Sequence, residues 1–487
     1  LADQERPYNI ALHYFDVAGS ARNFPAIIGK DFALSHHDLA QVIRGVAMHL
    51  ARMNVGRGSL VALNSTNTVA ILSTLFATAL LGSRFCIASP TLARFKTVVP
   101  THFLRTPEVA GHPAVPFQVL EAELFSPVSG WGDGADYTPS HPTDPWMFLH
   151  TSGTTGAPKF ITLSQQMVRD RSAAVADDFP ARATTFATFF PPTSRPFFAR
   201  AIAALLQGCS IVEGIDTDHW LASGVNFVSA SPSHMTKMMT GRRLPRKIER
   251  LEVSGSKIPP MAAKHYLESF DTVIDVYGAS ETSKSFSNKL ELDATGEVVA
   301  RGLPRDSEVE IVDDNLQPRK PGDLGTVRVR NTYMVDGYVN APEATRKAFR
   351  DGWFYPGDIG CWGPNGDLDI LGRDDEVLNV GGYKMQASLA DLVVRSVEGV
   401  SEAVVFPNPL PNAADPLLAF VVFEDANGRH SISETIIEAF TRAFGFGLTL
   451  RNIKPVTDYP RDENGNPDRS ACARMVLARA RDLGELA

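Results

Sequence analysis

Between residues 59 and 278 the chain alternates between two hydrophobic periods, and that alternation limits its fold more than any other feature. "SLVALN" (59–64) reads as a strand, and the apolar run "VAILSTLFATALLG" from Val69 belongs to a helix over about 67–81. A short strand follows near 85–88, then "WMFLH" (146–150) and "FITLS" (160–164). Ser164 is placed as the N-cap of a helix carrying Met167, Val168, Ala174 and Val175. "SIVEG" (210–214), "NFVSAS" (226–231), "RLEVSGS" (250–256) and "TVIDVYG" (272–278) are further β-branched runs, each closing on small residues. Strands separated by helices predict an α/β fold: mostly parallel sheets flanked by helices, with ligands at the carboxyl ends of the strands.

The pattern changes after about residue 300. "EVEIVDD", "GTVRVRN" and "DLDILGR" alternate every second residue, with turn pairs Pro321-Gly322 and Asn365-Gly366 between runs, which predicts a small antiparallel β module. Beyond Asp375 an α+β unit is expected, with helices in "SLADLVVRSVEGV" and "SISETIIEAFTRAF" and strands in "EAVVF" and "LLAFVVF". A chain of 487 residues exceeds one comfortable core, so two or more domains are expected.

Composition narrows the function classes. A formal net charge of -8 argues against a dominant nucleic-acid face. The longest apolar run is about fourteen residues and carries Ser and Thr, short of the roughly twenty that cross a bilayer. A buried helix in a soluble protein is the expectation. Cysteines at 86, 209, 361 and 472 fit no zinc or disulfide spacing and predict reduced, mostly buried thiols in a cytoplasmic protein. "LADQERPYNI" has acids where a secretory signal is positive and no initiator Met. The expectation is no secretory signal, with some N-terminal residues absent from this sequence.

The chemistry concentrates in "FLHTSGTTGAPK" (148–159). Thr151, Ser152, Thr154 and Thr155 surround Gly153 and Gly156, and Lys159 closes the stretch. Freed backbone amides, hydroxyls and one cation make a cradle for phosphate oxygens. A polar glycine turn between strands is what a generic cluster of this kind makes. The P-loop of NTPases is a weaker reading, because Lys159 follows Gly156 by three residues and leads into β-prone "FITL" rather than a helix.

Position by position, the stretch resembles the AMP-binding signature of the adenylate-forming superfamily, which includes acyl-CoA synthetases, peptide-synthetase adenylation domains and luciferases. Further segments are similar to that family's motifs in order: "DVYGASET" (275–282), "GWFYPGDIG" (352–360) and "LGRDDEVLNVGGYKMQ" (371–386). The resemblance implies a large N-terminal domain (1–374) and a small mobile lid (375–487) hinged near Asp375. It implies attack of a carboxylate on the α-phosphate of ATP, then transfer of the acyl group to a thiol. Residues 151–156 and Lys159 would grip the β,γ-phosphates. Glu281, with Thr154, would hold Mg²⁺. Tyr277 and Gly278 would flank adenine, Gly255 and Ser256 would let it approach the backbone, and Ser280 stands where Thr is usual. Asp358 would bind the ribose hydroxyls, and Arg373 the ribose and phosphate region. "NVGGYK" is similar to the strand bordering a pantetheine channel, with Gly382 leaving room and Lys384 adding charge. CoA is the first acceptor implied and a carrier protein's phosphopantetheine arm the second, and a homodimer is left open.

Two departures stand out. Asn466 occupies the place of the family's catalytic lysine, and an amide cannot neutralise a developing oxyanion as an ammonium does. Either adenylation is impaired, leaving a homologue that binds AMP, an acyl-adenylate or an acyl-thioester, or Arg461, Arg469 or Lys454 substitutes. In "FFPPTSRPFF" (189–198), Thr193 and Ser194 replace the usual aromatic-His pair and Arg195 follows. A polar pocket for a small or oxygenated carboxylic acid is expected, with Arg195 able to pair with a second carboxylate. The region from about 90 to 140 looks shortened, which would alter the pocket wall or a subunit contact.

Overall fold

The computed structural model describes residues 8–88, 98–112, 115–127, 138, 140–151, 159–179, 184–239, 244–258, 260–374, 376–380, 383–410, 415–425, 428–445, 447–461 and 467–482. Two large sheets dominate. One has six strands in the order Gln118–Val119, His102–Arg105, Leu60–Asn64, Arg84–Ile87, Pro145–Thr151 and Lys159–Ser164, parallel except for the last pair. The other has nine, with a parallel centre built from Pro25–Ile28, Ser210–Val212, Thr185–Thr188, Phe227–Ala230, Ile248–Ser254 and Phe270–Ala279. At one edge it turns antiparallel through Ser283–Leu292 and Val298–Leu303, and at the other through Ala33–Ser35.

Helices Ile10–Ser20, His36–Arg52, Thr68–Leu80 and Arg195–Leu206 share one apolar cluster with residues from both sheets. Thr68–Leu80 is buried along its whole length. Two of its hydroxyls are satisfied locally: Ser73 donates to the Val69 carbonyl and Thr78 to the Leu75 carbonyl, each at 2.6 Å, whereas the buried Thr74 hydroxyl has no partner among the described residues. The indole of buried Trp146 then donates to Thr78 at 3.2 Å. Ser73 and Thr78 cost little here because their hydroxyls donate within the helix. Asn67 caps this helix, and Ser35 with Asp38 forms a capping box on the preceding one.

The expected helix after Ser164 does form, and Ser164 accepts from the Met167 amide at 3.1 Å. It ends at Ala173, so Ala174 and Val175 lie in a turn instead of on its apolar face. A short 3₁₀ turn, Ala176–Asp178, follows and buries Asp178.

Downstream, Glu308–Val312, Gly325–Arg330, Asp358–Trp362 and Leu368–Arg373 pair antiparallel as their alternation predicts. The C-terminal part carries a hairpin, Val377–Val380 with Tyr383–Gln386, and the sheet Val400–Pro407, Leu417–Phe423, Ile453–Pro455. Helices Ala387–Arg395 and Arg429–Phe444 cover one face of that sheet, while Tyr459 and Cys472 lie in the apolar cluster of the other. Among the described residues no helix is long and apolar enough to cross a membrane.

Candidate active site

Phe270–Ala279 loses register with its hairpin partner at its end: Tyr277 faces Phe286, but Gly278 faces Lys284. A Cβ on residue 278 would lie 2.2 Å from the Ser283 carbonyl oxygen, so glycine alone fits this close approach. Ser283 itself is left-handed, at φ 61°. The bulge leaves Ser280 and Glu281 in the turn between the two strands.

Arg171 fastens that turn. Its buried guanidinium donates to the carbonyls of Ser280 at 3.0 Å, Glu281 at 2.8 Å, and Tyr333 at 3.0 and 2.9 Å. The Val335 amide also donates to the Glu281 carbonyl, at 3.0 Å. Burial, with Arg195 nearby, lowers the Arg171 pKa to about 9, which leaves it charged at neutral pH. With its backbone fixed, Glu281 turns its carboxylate to Tyr338, whose hydroxyl donates to Oε1 at 2.8 Å. Burial and the Glu281 charge push that phenol's pKa up, keeping it a donor. Lys159 Nζ lies 4.9 Å from the centre of the Tyr338 ring, a cation–π distance.

A second group adjoins the first through Tyr277. Gly357, at φ 82°, delivers Asp358 to the start of a strand whose register sets it opposite Arg373. Arg373 Nη1 donates to Asp358 Oδ1 at 3.2 Å, and the Tyr277 hydroxyl donates to Oδ2 at 2.6 Å. Burial first, then Asp358, raises the Tyr277 pKa well above its ordinary value. Asp358 is 13% exposed and Arg373 37%, so the pair opens to solvent on the arginine side.

Behind these groups lies a cavity. Met147, Leu149, Val168 and Phe198 contribute to an apolar wall, and Arg171, Arg195, Arg200, Glu252, Ser254 and Lys284 are among the polar residues that line the cavity.

Residues 107–339 match the family described as AMP-binding enzyme. Over those residues, a little under half of its length, the chain is similar to that family. Among relatives, a probable CoA ligase from Humulus lupulus is 25% identical over 79% of this chain and 80% of that protein. An oxalate–CoA ligase from Arabidopsis thaliana is 25% identical over 71% and 70% respectively. An o-succinylbenzoate coenzyme A synthetase from Bacillus subtilis, solved with AMP, superposes with a TM-score of 0.79 at 18% identity, over 94% of this chain and 97% of that one. At that identity the likeness is one of fold.

The structure brings Tyr277, Gly278, Ser280, Glu281, Asp358, Arg373 and Lys159 into the linked groups above. Gly255, at φ 103°, and Ser256 follow the strand that ends at Ser254 and are exposed. Arg195 lines the cavity, and no hydrogen bond or ion pair holds its guanidinium among the described residues. Thr193 and Ser194 are not in its lining; Ser194 instead caps the helix Arg195–Leu206. Residues Ser152, Gly153, Thr154, Thr155 and Gly156 lie outside the described residues, as do Asp375, Gly382 and Asn466 and the side chains of Thr151 and Lys384. Arg461 pairs with Glu402 at 3.7 Å and Asp458 at 3.5 Å and stacks on Tyr459. Arg469 pairs with Glu376 at 3.0 Å and with Asp391, whereas Lys454 is exposed. Sequence reasoning missed Arg171 and Tyr338, which have no spacing signal: one sits on a polar helix and the other in an irregular stretch.

Proposed function

We propose that this chain is an AMP-binding enzyme that uses ATP to activate a carboxylic acid as its acyl-adenylate and passes the acyl group to a thiol, releasing AMP. The observation that carries the reading is the linkage of Tyr277, Asp358 and Arg373, one residue from the bulge that presents Glu281. A carboxylate accepts about four hydrogen bonds, so Asp358 suits a ribose diol while still bound to Tyr277 and Arg373. Fixed by that bond, Tyr277 presents its ring to adenine, and Gly255 and Ser256 leave the purine close to backbone. The loop 151–156 and Lys159 take the β,γ-phosphates.

Glu281 suits Mg²⁺ as a hard oxygen ligand. Among the described residues no group of three His, Cys, Asp or Glu side chains could hold a metal. That favours an ion held by Glu281 and Thr154 together with substrate phosphates and water. When bound, Mg²⁺ would neutralise phosphate charge. The acid, lying in the cavity, attacks the α-phosphorus through one carboxylate oxygen, and the bond to the pyrophosphate oxygen breaks.

The relatives named as CoA ligases support CoA as acceptor, with Gly382 and Lys384 beside its pantetheine arm; a carrier-protein arm is the alternative. Residues 375–487 would act as a lid turning at Asp375. Cys86, Cys209 and Cys472 are buried free thiols, which supports a cytoplasmic location.

A second reading has its own observation. Arg461 and Arg469, two of the three cations that would replace the missing lysine, are engaged by carboxylates of the C-terminal part. That favours a homologue that binds an adenylate without forming it. Pyrophosphate exchange with a panel of acids separates the two. Exchange by the natural protein supports the ligase. Exchange only after Asn466→Lys, with a gain of roughly a hundred- to a thousandfold, supports the binding homologue.

A further inference from the structure

The inner end of the cavity holds a charge cluster that nothing above uses. Lys284 donates to Asp178 and Glu252, at 2.8 Å each. Arg200 pairs with Glu252 and, at 3.5 Å, with Asp178. Arg250 reaches both acids, at 3.0 and 2.9 Å, and Arg305 reaches Asp178 at 2.5 Å. Four cations thus share two carboxylates, and all six side chains are at most 17% exposed. Nε of Arg250 and of Arg305 is buried with no hydrogen-bond partner. Arg195, on which the Glu281 charge also acts, adds to the same cavity wall a guanidinium with no hydrogen bond or ion pair among the described residues. A buried excess of positive charge is costly unless an anion balances it, and only Arg200, Lys284 and Glu252 of the cluster face the cavity.

We propose that the acid received by this cavity carries a second anionic group, seated against Lys284 and Arg200 with Arg195 beside it. The proposal rests on the acid-activation reading. Geometry sets the length. Ser254, at the carboxyl end of its strand next to Gly255, and Glu252, in the cluster, both line the cavity two residues apart, so their side chains share a face about 7 Å apart. With single bonds of roughly 1.5 Å, an extended aliphatic diacid of about five or six carbons spans that interval. The apolar wall of Met147, Leu149, Val168 and Phe198 packs its methylenes.

The test is calorimetric titration of the full chain, with AMP present, using glutarate and adipate against valerate and hexanoate. The diacids are expected to bind at least tenfold more tightly than monoacids of equal length. Arg195→Gln removes no hydrogen bond found in the structure and should fold normally while cutting that preference severalfold. Lys284→Met should abolish it, with cooperative unfolding as the check on folding. Monoacids binding as tightly as diacids, or no heat from either class, would overturn the subsite. A diacid that binds tightly but never forms an adenylate would sink the acid-activation reading and leave the subsite standing. Adenylates formed only from monoacids would do the reverse.

Discussion

Arg171→Met tests whether the Glu281 turn is held in place by one buried guanidinium. The substitution removes four hydrogen bonds to three carbonyls. The Glu281 carbonyl keeps the Val335 amide, whereas the carbonyls of Ser280 and Tyr333 lose the guanidinium. A buried carbonyl left unsatisfied costs about 1–3 kcal/mol, so two cost about 2–6 kcal/mol. Methionine avoids burying a charge, a cost visible in the Arg171 pKa of about 9, and this returns part of the loss. The expected net destabilisation is about 2–4 kcal/mol, read from urea unfolding followed by tryptophan fluorescence. Because Glu281 would wander, the affinity for ATP with magnesium should fall at least tenfold, and the affinity for AMP much less. A loss below about 1 kcal/mol with unchanged ATP affinity would refute the clamp.

Three further outcomes follow from particular contacts. Gly278→Ala forces a methyl to within 2.2 Å of a backbone oxygen. Overpacking costs about 1–3 kcal/mol, and the upper end is expected in the urea midpoint because backbone cannot move aside as a side chain can. Tyr338→Phe removes the hydroxyl that orients Glu281, so calorimetry should show roughly tenfold weaker binding of ATP with magnesium and unchanged binding of AMP. Diacid affinity should also depend on pH through Lys284. Burial first, then Arg200 and Arg305, lower its pKa to about 8 against the pull of Glu252 and Asp178. The folded value lies below the unfolded one, so Lys284 is charged and diacid affinity level below about pH 8; affinity falls as pH rises through 8. Folding stability moves the other way between 8 and 10.5, since the unfolded chain keeps the proton longer. Titrations spanning about pH 6.5–9.5 check the binding limb.

Much of the scaffold was legible because periodicity reports which face of an element is buried. The strand at 60–64, the buried helix after Asn67 and the antiparallel pairs beyond 300 all carry that signal. The helix after Ser164 was extended too far, because Ala174 and Val175 continue its apolar spacing while the backbone turns to bury Asp178. Motif residues on strand ends, such as Tyr277, Glu281 and Asp358, were legible for the same reason that they converge: glycines mark the bends that aim them. The charge cluster was not. Asp178, Arg200, Glu252, Lys284 and Arg305 come from separate elements, and their pairing exists only once the chain folds. Arg171 was hidden likewise, since its three carbonyl partners lie more than a hundred residues away.

The central claim is that Tyr277, Asp358 and Arg373 receive the nucleoside of ATP while the loop at 151–159 takes its phosphates. Titration calorimetry with ATP and magnesium tests it most directly, on the natural protein and on Asp358→Ala. The account predicts saturable heat from the natural protein and at least tenfold weaker binding by the variant. No heat from well-folded natural protein, or equal affinity for both, would contradict it.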